Sequence, residues 1–139
     1  MESGYIRAHK ASRREIADLL KAVDRDLADS QLRGLSADRR FAVAYSAALL
    51  VATLALAASG YRAQQEGHHY WSIRSLALTM KLDARIVDQL NAFRRKRNIA
   101  DYERVGTVSE EETRKMVALA KELRDTVAVW LKENHPELV

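Results

Sequence analysis

Four consecutive cations, from Arg94 to Arg97, end an amphipathic segment, and one of them falls on its apolar face. At about 100° per residue, Ile86, Leu90, Phe93 and Arg97 all lie within about 40° of one another on a helix. A guanidinium on an apolar stripe must be paired or must face a cleft, because burying it alone costs several kcal/mol. Position 97 is therefore where chemistry is most strongly expected.

Asp101 lies one helical turn after Arg97, on the same face, and the pair admits two interpretations. In the first, the carboxylate holds the guanidinium at the mouth of a groove, with donors left over for a phosphate. In the second, the two form a partly buried ion pair that only fixes helix packing. Likewise, Arg94, Arg95 and Lys96 are either a basic patch for nucleic-acid phosphates or cations that suit the negative end of the helix dipole.

His68 and His69 lie beside Tyr70 and Trp71 in a segment whose composition is typical of a loop. Adjacent histidines rarely bind a metal without a third ligand at a defined spacing, so neither a metal site nor a cofactor is predicted. A histidine at the rim of a groove could act as a general acid or base, but nothing in the sequence places one there. The role of the two histidines is left open.

The composition favours one helical domain over residues 1–139. Ala, Leu, Arg, Glu and Lys dominate, whereas one Pro and five Gly leave little room for the turns of an all-β fold. The absence of Cys excludes disulfides and Cys-based zinc sites. A net charge of +4 permits an anionic partner without requiring one. Residues 1–20 carry charge throughout and show no secretory signal, so a cytoplasmic location is expected.

Five helical segments must position these residues. Ser36 and Asp83 are predicted helix N-caps, and Ser109 with Glu112 forms a capping box. No strand is predicted, and residues 61–71 are expected to form a loop. Tyr5, Tyr45, Trp71 and Trp130 occupy apolar positions, which favours core packing over base stacking. The spacing of apolar residues predicts helices over residues 9–30, 36–59, 72–80, 84–101 and 109–133.

The segment Phe41–Ala58 contains no charged residue and eight Ala. A helix that is apolar all round is either a membrane span or the central helix of a bundle, and Ala-rich stretches insert poorly. Four long helices with short connections then predict an all-α fold, an antiparallel up-and-down four-helix bundle with an additional short helix. Alternatively, one face of this second helix is a subunit contact in a symmetric dimer.

The segment Arg97–Tyr102, followed by a loop and a Glu-rich capping box, resembles the end of a HEPN domain (higher eukaryotes and prokaryotes nucleotide-binding). Its sequence Arg-Asn-Ile-Ala-Asp-Tyr fits the subgroup with an Arg-x-x-Ala-Asp-Tyr signature. Upstream, Ala44–Ala48 and Ser59–Arg62 are similar to the second helix of that family and its exit. The resemblance extends from about residue 10 to residue 134.

The resemblance implies a homodimer of four- to five-helix bundles, with the motif in a cleft between the two subunits. Many HEPN proteins are metal-independent endoribonucleases, often toxins paired with a nucleotidyltransferase antitoxin. In these, an Arg stabilises the scissile phosphate and a His a few residues later helps to transfer protons. Tyr102 stands where that His is expected, and a Tyr, with an ordinary pKa near 10, is a poor proton shuttle at pH 7.

The expected function is therefore binding of RNA or a nucleotide through Arg94, Arg97, Asn98 and Asp101. If RNA is cleaved, Arg97 and Tyr102 are the expected catalytic residues, although loss of a general acid or base typically costs about 10²–10⁴ in rate. By analogy, Tyr102 is also a candidate acceptor for nucleotidylation by a partner enzyme. The alternative is a non-catalytic helical interaction module that partners a nucleotidyltransferase. A third option, sequence-specific DNA binding, lacks a recognisable recognition helix. No membrane partner is expected.

Overall fold

The computed structural model describes residues 5–64, 67–102 and 108–139, with the side chains of 99–102 outside this description. The prediction of a helical chain is confirmed, since five α-helices make up most of the described residues. A short 3₁₀ turn, Pro136–Leu138, closes the chain. The other elements, in chain order, are β1 (Ile6–Ala8), α1 (Arg13–Asp29), α2 (Ala37–Ala58), β2 (Tyr61–Ala63), α3 (His68–Thr79), α4 (Ala84–Tyr102) and α5 (Glu110–Asn134).

Side-chain caps set the starts of three helices. The Ser36 hydroxyl accepts a hydrogen bond from the Arg39 amide at 3.2 Å, as predicted for the start of α2. Ser109 and Glu112 form the predicted capping box at the start of α5, with both hydrogen bonds at 3.0 Å. The expected start of α1 at residue 9 is wrong, because Ser12 caps the helix and sets its first residue at Arg13.

Helix α2 is the centre of the core and packs against the other four α-helices. Its length and composition would suit a membrane span, but 67% of its apolar window is buried inside the molecule. Helix α1 runs antiparallel to it, because Ser46 bonds to Asp26 while Arg40 bonds to the Ser30 carbonyl. The second helix is therefore a core helix, as its Ala content indicated.

A two-stranded antiparallel ribbon corrects the prediction that residues 61–71 form a loop. Strand β1 pairs with β2 in a register that sets Ile6 opposite Ala63 and Arg7 opposite Arg62. Gly60, between α2 and β2, has a φ of +96°, a left-handed conformation that lets the chain leave the helix. The ribbon brings the N-terminal segment against the exit of α2, and α3 then begins at His68 instead of Ser72.

Candidate functional site

Tyr45 is the centre of a polar cluster that joins three helices. Its side chain is 1% exposed on α2, and its hydroxyl lies 3.2 Å from Nδ1 of His69 at the start of α3. From α4, the guanidinium carbon of Arg97 lies 5.8 Å from the centroid of the Tyr45 ring. This is the distance of a cation–π contact. Arg97 is half-buried, the inward orientation that the helical periodicity predicts.

Aromatic packing sets the position of Arg97. One turn before it, Phe93 packs edge-to-face on Phe41 with ring centroids 5.6 Å apart. Leu90, a further turn back, is fully buried. Because Phe41 precedes Tyr45 by one turn, the contact between the two Phe rings sets the guanidinium beside the Tyr45 ring. The apolar stripe of α4 thus fixes where the guanidinium of Arg97 lies.

Arg94 extends the cluster to the first turn of α3. Its guanidinium carbon lies 5.5 Å from the Tyr70 ring centroid, and its Nε donates to Asn91 Oδ1 at 2.8 Å. Tyr70 packs edge-to-face on Trp71, which stacks on Tyr5 with ring centroids 4.7 Å apart. Aromatic side chains therefore accompany the basic ones, a combination typical of surfaces that bind single-stranded nucleic acid.

The prediction of core packing holds for some of the aromatic residues and fails for others. Tyr45 is buried, which confirms that prediction. Tyr5 is 45% exposed, so the prediction is wrong for this residue. The physical reason is that Tyr5 lies in the turn before β1, where its ring stacks on the half-buried Trp71 at the surface.

Burial and nearby positive charges keep the two histidines next to Tyr45 neutral. Burial lowers the pKa of His69 below its ordinary value of 6.5, and the charges of Arg97, His68 and Arg94 lower it further. Burial, followed by the charge of Arg62, lowers the pKa of His68 in the same way. Burial raises the pKa of Tyr45 to about 12, although Arg94 and Arg97 oppose this rise. At pH 7 the cluster therefore consists of neutral rings beside cationic guanidiniums.

An open cavity of about 600 Å³ adjoins the cluster. We call it the basic cleft, and its walls include Arg7, Arg62, Gln64, His68 and His69. The ribbon register sets the two arginines opposite each other, and both are exposed. With Nδ1 of His69 bonded to Tyr45, its Nε2 is the ring nitrogen available to a ligand. The cleft offers guanidinium donors beside imidazole nitrogens, a combination suited to a phosphate.

The structure locates some of the site residues predicted from the sequence, while others lie outside the described side chains. Arg94, Arg97 and Asn98 are half-buried on α4, and the first two belong to the Tyr45 cluster. The side chains of Asp101 and Tyr102 lie outside the described residues, so their proposed roles stay predictions. Among the side chains that the structure describes, no group of three or more His, Asp or Glu is placed to hold a metal ion.

Sequence reasoning missed His69, Arg7 and Arg62 as members of the site. His69 was noted as one of two adjacent histidines, but its contact with Tyr45 links residues 24 positions apart in the chain. Arg7 joins the cleft only through the pairing of β1 with β2, which was not predicted. The available signal was a histidine pair followed by two aromatic residues. Because this segment was predicted to be a loop, no helix face could be assigned to the histidines.

The fold and site together define a helical protein with a basic cleft and adjacent aromatic side chains. Its central helix, α2, supplies the buried tyrosine, while α3, α4 and the ribbon supply the nitrogen donors. Comparisons with protein-family models, with curated proteins and with solved structures found no match for this chain.

Proposed function

We propose that this chain is a HEPN-type nucleotide- or RNA-binding protein that holds phosphate groups in the basic cleft and at Arg94 and Arg97. The observation that carries the proposal is the convergence of His69 and Arg97 on Tyr45 from two different helices. Helix packing alone does not require half-buried cations to converge beside neutral imidazoles. Such cations bind a phosphate by charge-assisted hydrogen bonds, and Asn98 lies one position beyond Arg97 to add a polar contact.

The proposal includes an antiparallel up-and-down four-helix bundle that forms a homodimer, with Arg97 facing the cleft between subunits. The antiparallel pairing of α1 with α2 supports the bundle. In this proposal the chain is the toxin-like half of a two-gene module in the cytoplasm, with a nucleotidyltransferase antitoxin as its partner. Size-exclusion chromatography with light scattering tests the dimer, and copurification with the product of the neighbouring gene tests the partner.

Metal-independent RNA cleavage is a second candidate function, and His69 is the observation that favours it. In the tautomer whose Nδ1–H donates to the Tyr45 hydroxyl, the neutral imidazole of His69 has a lone pair on Nε2. That nitrogen accepts the proton of a ribose 2′-hydroxyl as the oxygen attacks the adjacent phosphorus. The bond from phosphorus to the 5′-oxygen then breaks, and the imidazolium returns the proton to that oxygen. Arg97 would stabilise the charge on the phosphorane. In this proposal Tyr102 positions the 2′-hydroxyl, and His69 is the proton acceptor, a role for which a Tyr is poorly suited at pH 7.

The test compares two Arg variants of α4 in binding to a fluorescent single-stranded RNA and in RNA cleavage in EDTA. Arg97→Ala removes the half-buried cation, and Arg95→Ala removes an exposed one from the same helix. We expect Arg97→Ala to weaken binding by about tenfold or more, since hydrogen bonds to charged groups contribute about 1.5–3 kcal/mol. Arg95→Ala should weaken it much less and should behave like a general loss of charge.

Equal losses in the two variants would contradict a specific site, because binding would then depend only on net charge. Thermal denaturation of both variants separates binding from folding. If Arg97→Ala lowers the melting temperature by several degrees while RNA binding is unchanged, the non-catalytic interaction module is the better explanation. Cleavage in EDTA that is lost in His69→Asn but kept in Arg95→Ala would support the endoribonuclease.

A further inference from the structure

A second, smaller pocket opens beside the basic cleft, between the ribbon and helices α1, α2 and α3. Its volume is about 240 Å³. Leu56 and Ala57 of α2 give it an apolar wall, and both are almost fully buried. Pockets for drug-sized ligands measure roughly 300–1,000 Å³, so this one suits a single ring system.

Ser72 lines this pocket and indicates that a polar ligand atom belongs there. The residue is fully buried on α3, and its hydroxyl has no hydrogen-bond partner among the described residues. A buried hydroxyl without a partner is destabilising, so such groups are rare in folded proteins. A hydrogen-bonding group placed in the pocket would remove this cost.

A histidine–carboxylate pair forms another wall of the pocket. Nε2 of His9 lies 3.0 Å from each carboxylate oxygen of Glu15. The backbone fixes both residues, since the His9 amide donates to the Gly60 carbonyl and the Glu15 amide donates to Ser12. Each carboxylate oxygen has a second lone pair, which can accept a hydrogen bond from an amino group. The pocket therefore favours a ring that carries an amino group.

Arg62 and His68 line both this pocket and the basic cleft. One ligand can therefore occupy the two together, with an uncharged ring against Leu56 and Ala57 and an anionic group among the arginines. A nucleoside phosphate has this distribution of charge. Its planar base carries hydrogen-bonding edges, and its phosphate is separated from the base by one sugar.

We propose that the smaller pocket binds a nucleobase with an exocyclic amino group, while the attached phosphate lies in the basic cleft. Glu15 accepts from the amino group, and Ser72 bonds to another polar atom of the base. Cytosine and adenine carry such an amino group and uracil does not. This inference rests on the proposed function and adds the part of the ligand that the pocket selects. The nucleotide is either free or an unpaired residue of an RNA strand.

The experiment measures the binding of CMP, AMP, UMP and ribose 5-phosphate to the full chain by titration calorimetry. We expect CMP and AMP to bind about tenfold more tightly than UMP and ribose 5-phosphate, the effect of one hydrogen bond to a charged group. Glu15→Ala should abolish this preference. Asp18→Ala is the matched control, since it removes an exposed carboxylate from the same helix.

Four further outcomes decide the ligand source and the fate of each proposal. Competition by oligo(C), but not by oligo(U) of the same length, would identify unpaired RNA as the source, whereas failure of both to compete would identify the free nucleotide. Arg97-dependent binding of RNA together with equal affinities for all four small ligands would overturn the base pocket and leave the proposed function standing. Absence of binding of RNA and of all four small ligands would overturn both the base pocket and the proposed function.

Discussion

Tyr45 and Ser46 are consecutive residues of α2, yet their hydroxyls belong to two different kinds of polar site. Ser46 donates to the Asp26 carboxylate at 2.8 Å, and Arg25 lies 3.3 Å from the same carboxylate. Tyr45 instead meets the neutral imidazole of His69 and lies under the guanidinium of Arg97. The first site balances a buried anion with donors from its own surroundings. The second collects positive charge, which is the property of a site that receives an anion.

The difference shows that burial of a polar group does not by itself identify a functional residue. Asp26 is 7% exposed, but its partners explain its position without any ligand. The Tyr45 cluster is built from cations and neutral rings, and it shares His69 with the adjoining basic cleft. The sign of the surrounding charge separates the structural region from the candidate binding region.

The largest effect on stability is expected at the Asp26 site. Asp26→Ala should lower the free energy of unfolding by about 1–3 kcal/mol, because the hydroxyl of Ser46 loses its acceptor. Asp24→Ala, which breaks the more exposed pair with Arg124, should cost only about 0–1 kcal/mol. Urea denaturation with an unchanged m-value measures both. An RNA-binding defect in Asp26→Ala at a temperature where it is folded would contradict the separation of the two regions.

Tyr45→Phe should have a smaller effect on stability, about 0.5–1.5 kcal/mol, the contribution of one hydrogen bond. The ring remains, so the contact with Arg97 and the affinity for RNA should be nearly unchanged. Tyr45→Leu removes the ring face as well and should weaken binding by displacing Arg97. Denaturation and fluorescence anisotropy on the two variants measure these effects. If Tyr45→Phe weakens RNA binding as much as Tyr45→Leu does, the hydroxyl acts directly on the ligand.

The smallest effects are expected from a change in pH. Acidification should lower the stability of the fold and raise the affinity for a phosphate. The pKa of His69 is below its ordinary 6.5 in the folded state, so the unfolded chain takes up a proton first as the pH falls. Stability from this group is complete above about pH 6.5 and is lost as the pH drops through the folded-state pKa. Binding of a phosphate should instead strengthen on acidification, because protonated His69 adds a positive charge.

Melting temperatures and RNA affinities between pH 7.5 and 5.5 check this prediction. In His69→Asn both pH dependences should become shallower. An unchanged pH dependence of RNA affinity in that variant would show that His69 does not face the ligand. His68, whose pKa is also lowered, would then be the candidate.

Local signals were enough to predict the helices and the inward cation. Ser36 and Ser109 are caps whose partners lie three residues away, so the chain itself contains both halves of each interaction. The apolar stripe on α4 likewise depends only on helical periodicity, which correctly predicted that Arg97 faces inward.

Contacts between distant segments could not be predicted in this way. Strand β2 is three residues long, too short to show alternation, and its partner β1 lies more than fifty residues earlier in the chain. The meeting of His69 with Tyr45 depends on how α3 packs against α2, which a single sequence does not specify. Periodicity therefore predicted Arg97, the basic run indicated Arg94, and the tertiary fold added His69, Arg7 and Arg62 to the candidate site.

The stacking of Trp71 on Tyr5 gives the molecule a built-in optical reporter. The chain contains two tryptophans, and the other, Trp130, lines a groove with Met80 at the opposite end of α3. That helix is about 18 Å long at 1.5 Å per residue. In a Trp130→Phe chain, indole emission would arise from Trp71 alone. Its intensity and wavelength would then record events beside the histidines without any attached dye.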